Sequence, residues 1–212
     1  MKSLMLGILL IIIIGIGGLV YRNAIEYSAQ PIACPVAASQ CPDGTSVPHL
    51  PNSCDFPACP PPNVSFSDIG IAFAVPDGFV ATTTSDATSI VAYANESAST
   101  SASIIIRRFA IEASSTALAT IQKTAISGTS GMPVPITAFS STVLGRANFT
   151  VVAIERFQGT VDTAYYLSRG TDVLRFDAID QNVPNWADTN LSVSLLPANA
   201  ALRKLLTTLE GG

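Results

Sequence analysis

Residues suited to catalysis are few in this 212-residue chain, and their spacing limits what they could do. Its single histidine, His49, lies in Pro48-His49-Leu50-Pro51 within the cysteine-bearing tether, where it reads as a solvated loop residue and not as a ligand or catalytic base. A serine–lysine pair would need Lys123 or Lys204 buried, but helical spacing puts both on polar faces. G-x-S-x-G, phosphate-loop and H-E-x-x-H patterns are absent. Carboxylates remain. Asp177 and Asp180 stand three apart near a strand end, with Asp162, Asp172 and Asp188 elsewhere in the same half of the chain. Two convergent acids would bind calcium or hydrolyse a glycoside. Strand alternation instead sets Asp177 beside Arg175, and solvated carboxylates forming an acidic surface are the plainer reading. Trp186, in Pro184-Asn185-Trp186-Ala187-Asp188, is either an exposed binding aromatic or, the preferred expectation, packed under the last helix. No catalytic, cofactor-binding or metal residue is assigned, and no cofactor is expected. A pI near 4.8 with no basic cluster excludes nucleic acid, whose phosphates need Lys and Arg.

The cysteines have a clearer use. Cys34, Cys41, Cys54 and Cys59 follow a C-x6-C-x12-C-x4-C pattern, and no cysteine lies elsewhere. Zinc sites favour close pairs, and only Cys54 and Cys59 approach that spacing. An even cluster behind a membrane signal reads as two disulfides in an oxidising compartment, with three pairings open. So short a segment needs such staples, because packing alone cannot hold it. Cys41-Pro42-Asp43-Gly44-Thr45-Ser46-Val47, followed by Asn52-Ser53-Cys54, resembles part of a Kazal-type motif. That resemblance implies inhibition of serine proteases through an exposed loop. Its spacing is longer here, Val47 stands where the family has tyrosine, and four cysteines replace six.

Leu4 to Val20 is an uninterrupted uncharged run between Lys2 and Arg22. As a helix it rises about 26 Å, slightly short of a ~30 Å hydrocarbon core. Small-x-small cleavage sites after Ala24 or Ala29 are spoiled by Arg22 and Tyr27. The expectation is an uncleaved transmembrane anchor over residues 1–25, making the lipid bilayer a partner. Lys2 and Arg22 nearly cancel as topology signals, so the oxidised cysteines set the orientation: N-terminus cytoplasmic, the rest outside. Residues 26–62 then form a Cys/Pro-rich stapled tether ending in Pro60-Pro61-Pro62, and 63–212 the outer domain.

In that domain Ile69, Ile71, Phe73 and Val75 alternate with small residues, predicting a central strand. Ser89–Tyr93 and Ser103–Phe109 predict two more, with Arg107 facing water. Ser114-Ser115-Thr116 offers cap hydroxyls to a helix whose apolar side carries Leu118, Ile121 and Ala125. Strands are expected again at 136–144, 149–157, 164–168 and 174–178, joined by tight turns as an antiparallel meander. Leu202, Leu205, Leu206 and Leu209 form the stripe of a final helix, with Asn199 as its expected cap. The predicted class is α+β, two helices packed on an antiparallel sheet. The run Gly70-Ile71-Ala72-Phe73-Ala74-Val75-Pro76-Asp77-Gly78-Phe79, the meander and the leucine-rich last helix resemble PsbP-like domains. That resemblance, over most of 69–209, implies a domain of bacterial envelope proteins without assigned activity.

The expected function is therefore a membrane-anchored extracytoplasmic module that binds an envelope protein or ligand and is not an enzyme. Alternatives are a protease inhibitor through the cysteine segment, or a pilus-type subunit, which would want an acid early in the apolar run.

Overall fold

The computed structural model of the chain describes residues 14–22, 34–35, 38–41, 46–50, 53–59, 62–84, 86–95 and 101–211. They fall into two compact units, one drawn from Met1–Gln40 and Ser46–Ala58, the other from Cys41–Thr45 and Cys59–Gly212.

In the first unit, residues 14–22 form an exposed helix, α1, with Ile14 and Leu19 in the open. Nine residues rise about 14 Å, under half a hydrocarbon core. Among the described residues no helix is long and apolar enough to cross a membrane. The expected transmembrane helix is thus not found there, and the start of the Leu4–Val20 run lies outside the described residues. Two short strands, β1 (Ala38–Gln40) and β2 (Ser46–Pro48), pair antiparallel. All four cysteines are oxidised, as Cys34–Cys54 here and Cys41–Cys59 in the second unit. This selects one interlaced pairing from the three left open by spacing. Each closure is worth on the order of 2–4 kcal/mol. Both bridges precede β3 (Val64–Phe66), the first strand of the second unit. Reduction is therefore expected to leave the melting of residues 64–210 nearly unchanged. Thermal melts followed by Trp186 emission, with and without reductant, check this; a lost transition would tie the sheet to the staples.

The second unit is an α+β layer structure. β3 pairs with β4 (Ile71–Phe73) as a separate two-stranded ribbon. The main sheet holds β5 (Val80–Thr82), β6 (Ser89–Asn95), β7 (Ala102–Ala110), β8 (Ser140–Leu144), β9 (Ala147–Phe157), β10 (Thr160–Ser168) and β11 (Asp172–Asp180). They lie in the order β5-β6-β7-β11-β10-β9-β8, antiparallel throughout. Two-residue turns join β8 to β9 and β9 to β10. Gly145 (φ 60°) opens the first, while Gln158 (φ 48°) and Gly159 (φ 82°) make the second, as tight hairpins require. A side chain at Gly145 would meet the Thr207 carbonyl oxygen at 2.6 Å, so glycine also lets the end of the last helix approach.

Helix α2 (Ala117–Thr124) is capped by Thr116, whose hydroxyl accepts the Ala119 N–H at 3.1 Å. It covers one face of the sheet, with Ile121 and Ala125 against Val152, Ile154, Ala164, Tyr166 and Val173. Leu118, expected inside, is 47% exposed. Helix α3 (Pro197–Thr207) lies on the other face, where Leu202, Leu205 and Leu206 join Ile104, Ile106, Phe149, Leu174 and Phe176.

Two further expectations change. The Ile69–Val75 segment is not a central strand: β4 packs Ile71 and Phe73 onto the α3-side core, and Ala72 pairs with the backbone of Glu210. Its apolar character comes from layering, not from flanking strands. Asn199 is not a cap either. Leu196 holds the cap position without a side-chain bond, and the Ala198 N–H donates to Asp180 at 2.8 Å. A strand residue eighteen positions away thus serves an N–H that the helix leaves open. Asn199 is buried in the first turn and accepts the Tyr165 hydroxyl at 2.9 Å.

Candidate functional site

Alternation puts Arg107 on β7, Arg175 and Asp177 on β11, and Asp162 and Tyr166 on β10, all on the α2 side of the sheet. Register then makes them neighbours: Ser89, Arg107, Arg175 and Tyr166 form one row across four strands. Row spacing in a sheet is ~4.8 Å, so long guanidinium chains bridge adjacent positions. Arg175 donates from Nε to Asp177 Oδ1 at 2.6 Å and from Nη1 to the Thr124 carbonyl at 2.6 Å, with Nη2 ion-paired to the same Asp177 oxygen at 2.6 Å. Its guanidinium also lies 5.6 Å from the Tyr166 ring centroid. Arg107 bonds Asp177 through Nη1 and Asp86 through Nε, the latter at 2.7 Å. Asp162 Oδ2 stands 3.9 Å from Arg175 Nη2.

The arrangement corrects two expectations. Arg107 does not face water, and Asp177 is not a solvated carboxylate: its side chain is 0% exposed. Asp172 and Asp180 are buried as well. Asp172 accepts from Arg169 and Arg108, and Asp180 holds the start of α3. Asp188 is the exception, exposed in its loop and accepting the Asn190 N–H at 2.9 Å. The structure brings Asp162 and Asp177 together, while Asp180 points to the opposite face and Asp172 joins a separate cluster. The sequence signal for the network was alternation, which marks a shared face; Asp86 carried none, because it arrives from a loop.

Charge decides protonation here. Arg107 and Arg175 balance Asp86 and Asp177, so an ionised Asp162 would add an uncompensated buried charge. Burial, and then the Asp177 charge, push the Asp162 carboxyl well above the usual range. The hydrogen bond from Arg107, reinforced by those from Thr88, holds Asp86 at about 2. Burial lifts the Tyr166 phenol to about 12. Among the described residues, Ser89 Oγ, Asp162 Oδ1 and Tyr166 Oη are buried polar atoms without a hydrogen-bond partner, and all three belong to this face.

A raised carboxyl has a definite thermodynamic sign. Asp162 contributes stability that is fully present below its unfolded value, ~3.9, and is lost as pH rises through its folded value. Asp86 acts oppositely, its contribution lost as pH falls toward about 2. Maximum stability is therefore expected in mild acid, with Asp162→Asn flattening the decline above it. Denaturant titrations across that window check this. An unchanged slope in the variant would mean that Asp162 is ionised in the folded protein.

The second feature lies at the tip of the β9–β10 hairpin. Phe157 is 41% exposed and meets half-buried Trp186 edge-on, with centroids 6.0 Å apart. Trp186 belongs to neither buried cluster, so the expected packing under α3 is replaced by an open aromatic pair. Arg156, next to Phe157, donates Nε to the Trp186 carbonyl and Nη2 to that of Asp188. The Val183 N–H donates to the Gly159 carbonyl at 2.9 Å, fastening the loop to the hairpin turn. Gln158, Asn182 (φ 56°) and Asn185 (φ 56°) are the non-glycine residues with positive φ among those described. All three stand in this corner, and left-handed backbone at such residues costs on the order of 1 kcal/mol or more. The loop is thus held in a costly conformation that leaves Trp186 partly covered beside exposed Phe157.

No protein-family model and no curated protein matches the chain. Among solved structures it is similar to a protein from Bacteroides thetaiotaomicron, at 15% identity and a TM-score of 0.44, over 68% of this chain. The chain spans 45% of that protein's length. It is also similar to the Ran-binding protein Mog1p of Saccharomyces cerevisiae, at 14% identity and a TM-score of 0.43, over 70% of this chain and 93% of that one. Likenesses this distant carry no argument about what this chain does.

Proposed function

We propose that the chain is a membrane-tethered, extracytoplasmic binding module whose sheet unit, of PsbP-like kind, engages an envelope component and performs no catalysis. The observation that carries this reading is the Phe157–Trp186 pair, left open on a loop that Arg156 pins in place. Half-exposed aromatics fixed in advance bind with little loss of side-chain freedom. The ionic groups support the non-catalytic part: Asp177 is sealed from solvent, and its oxygens are occupied by two guanidinium groups. The tether rests on the uncharged Leu4–Val20 run and on the oxidised cysteines that follow it.

Two measurements test it. Alkaline washing of membranes should leave the full chain in the pellet; release would remove the anchor. Trp186 is the single tryptophan, so its emission reports this corner directly. Adding envelope fractions from the native cell to the full chain should shift that emission. Phe157→Ala should weaken the shift about tenfold, the scale of one lost aromatic contact. Emission unmoved by every fraction would take the binding surface away from this corner.

A further inference from the structure

The Trp186 corner resting on that reading has a rim whose chemistry narrows the ligand. Gln158 in the hairpin turn and Gln181, Asn182, Asn185 and Asn190 in the adjoining loop are all exposed. A side-chain amide offers two donors and an acceptor, the mixed complement a hydroxyl group needs. The charges of this turn and loop are one of each sign, Arg156 and Asp188. Arg156 directs Nε and Nη2 inward to loop carbonyls, and Asp188 Oδ1 accepts the Asn190 N–H. A phosphate or a carboxylate-rich ligand would want free cations, and a greasy peptide would want an apolar rim. A ring with axial C–H groups on one side and hydroxyls around its edge suits an aromatic pair with exposed amides in the adjoining turn and loop.

We infer that this corner is a carbohydrate subsite, with one uncharged pyranose ring stacking on Trp186 against the edge of Phe157. The backbone is consistent with that role. Gln158, Asn182 and Asn185 all have positive φ, and Arg156 holds the loop backbone through the Trp186 and Asp188 carbonyls. The two-residue turn accounts for Gln158, whereas the positive φ of Asn182 and Asn185 belongs to the loop that carries Trp186. Asn185 immediately precedes Trp186, and Gln158 immediately follows Phe157, so each aromatic has an amide next to it in the chain.

The test uses the full chain and titrates Trp186 emission with cellotetraose, maltotetraose and the N-acetylglucosamine tetramer, with heparin as the acidic comparison. At least one neutral oligosaccharide should give a saturable change, and heparin none at matched ionic strength. The responding sugar identifies the source, plain glucan or amino-sugar polymer. Phe157→Ala should weaken binding about tenfold, read by the same emission. Trp186→Phe should retain weakened binding by calorimetry, and Trp186→Ala should lose it. Melting curves of each variant separate lost binding from lost folding, and Phe157→Ala reads the proposal if the Trp186 variants do not fold. Silence toward all three neutral sugars overturns the carbohydrate assignment, as does a response to heparin alone. If envelope fractions still shift the emission in that case, the binding-module reading stands without it. If neither acts, both fall.

Discussion

Leu206→Asp is expected to unfold most of the sheet unit, whereas Lys204→Asp should lower its stability by less than about 1 kcal/mol. Leu206 is 1% exposed and sits with Leu202 and Leu205 in the core that α3 forms with β7 and β11. Removing a buried leucine costs roughly 2–5 kcal/mol, and an unpaired carboxylate in its place adds a desolvation penalty. A domain of this size holds only about 5–15 kcal/mol in total. Lys204, two residues earlier, is exposed on the outer side of the same helix. Denaturant titrations of the full chain, followed by Trp186 emission, give both values. Similar small effects would mean that α3 contributes little to holding the sheet together.

Removing Arg175 is the second large effect. Arg175→Met keeps the aliphatic stem but withdraws the donors that Asp177 and the Thr124 carbonyl receive. Asp177 would keep Arg107 alone for a fully buried charge, and breaking such a pair costs about 3–5 kcal/mol. Much of that is the penalty of the stranded partner. Adding Asp177→Asn should therefore recover part of the loss, because the stranded charge is gone. A double-mutant cycle measures this coupling. Additive losses would mean that the two side chains act independently despite their contact. Raised pH should deepen the single variant's defect, since the group most able to lose a proton, Asp162, lies beside it.

Much of the architecture was legible because periodicity reports burial. Alternation marked most long strands, and the leucine stripe marked α3, with Leu202, Leu205 and Leu206 now in the core. Cap chemistry was legible for α2, where Thr116 is local to the helix it serves. It was not legible for α3, whose open N–H meets Asp180 from a strand. Leu118 shows a related limit: helical spacing defines a stripe, but the neighbouring layer sets how wide a stripe is covered. Ile71 and Phe73 read as a central strand because period-2 hydrophobicity is the same whether the apolar faces meet flanking strands or another layer.

The sites divide along the same line. The chain by itself determined that four clustered cysteines pair, that histidine-based catalysis has no residue in the sheet unit, and which residues share a face. These follow from composition and from the two-residue period of a strand, both local properties. Tertiary structure decided which cysteines join, that Arg107, Arg175 and half-exposed Asp86 gather around a fully buried Asp177, and that Trp186 lies beside Phe157 outside the two cores. Each depends on register, crossover or loop closure between residues tens of positions apart. No local pattern carries that information, because a buried ion pair and a solvated one use the same residue types, and only their surroundings differ.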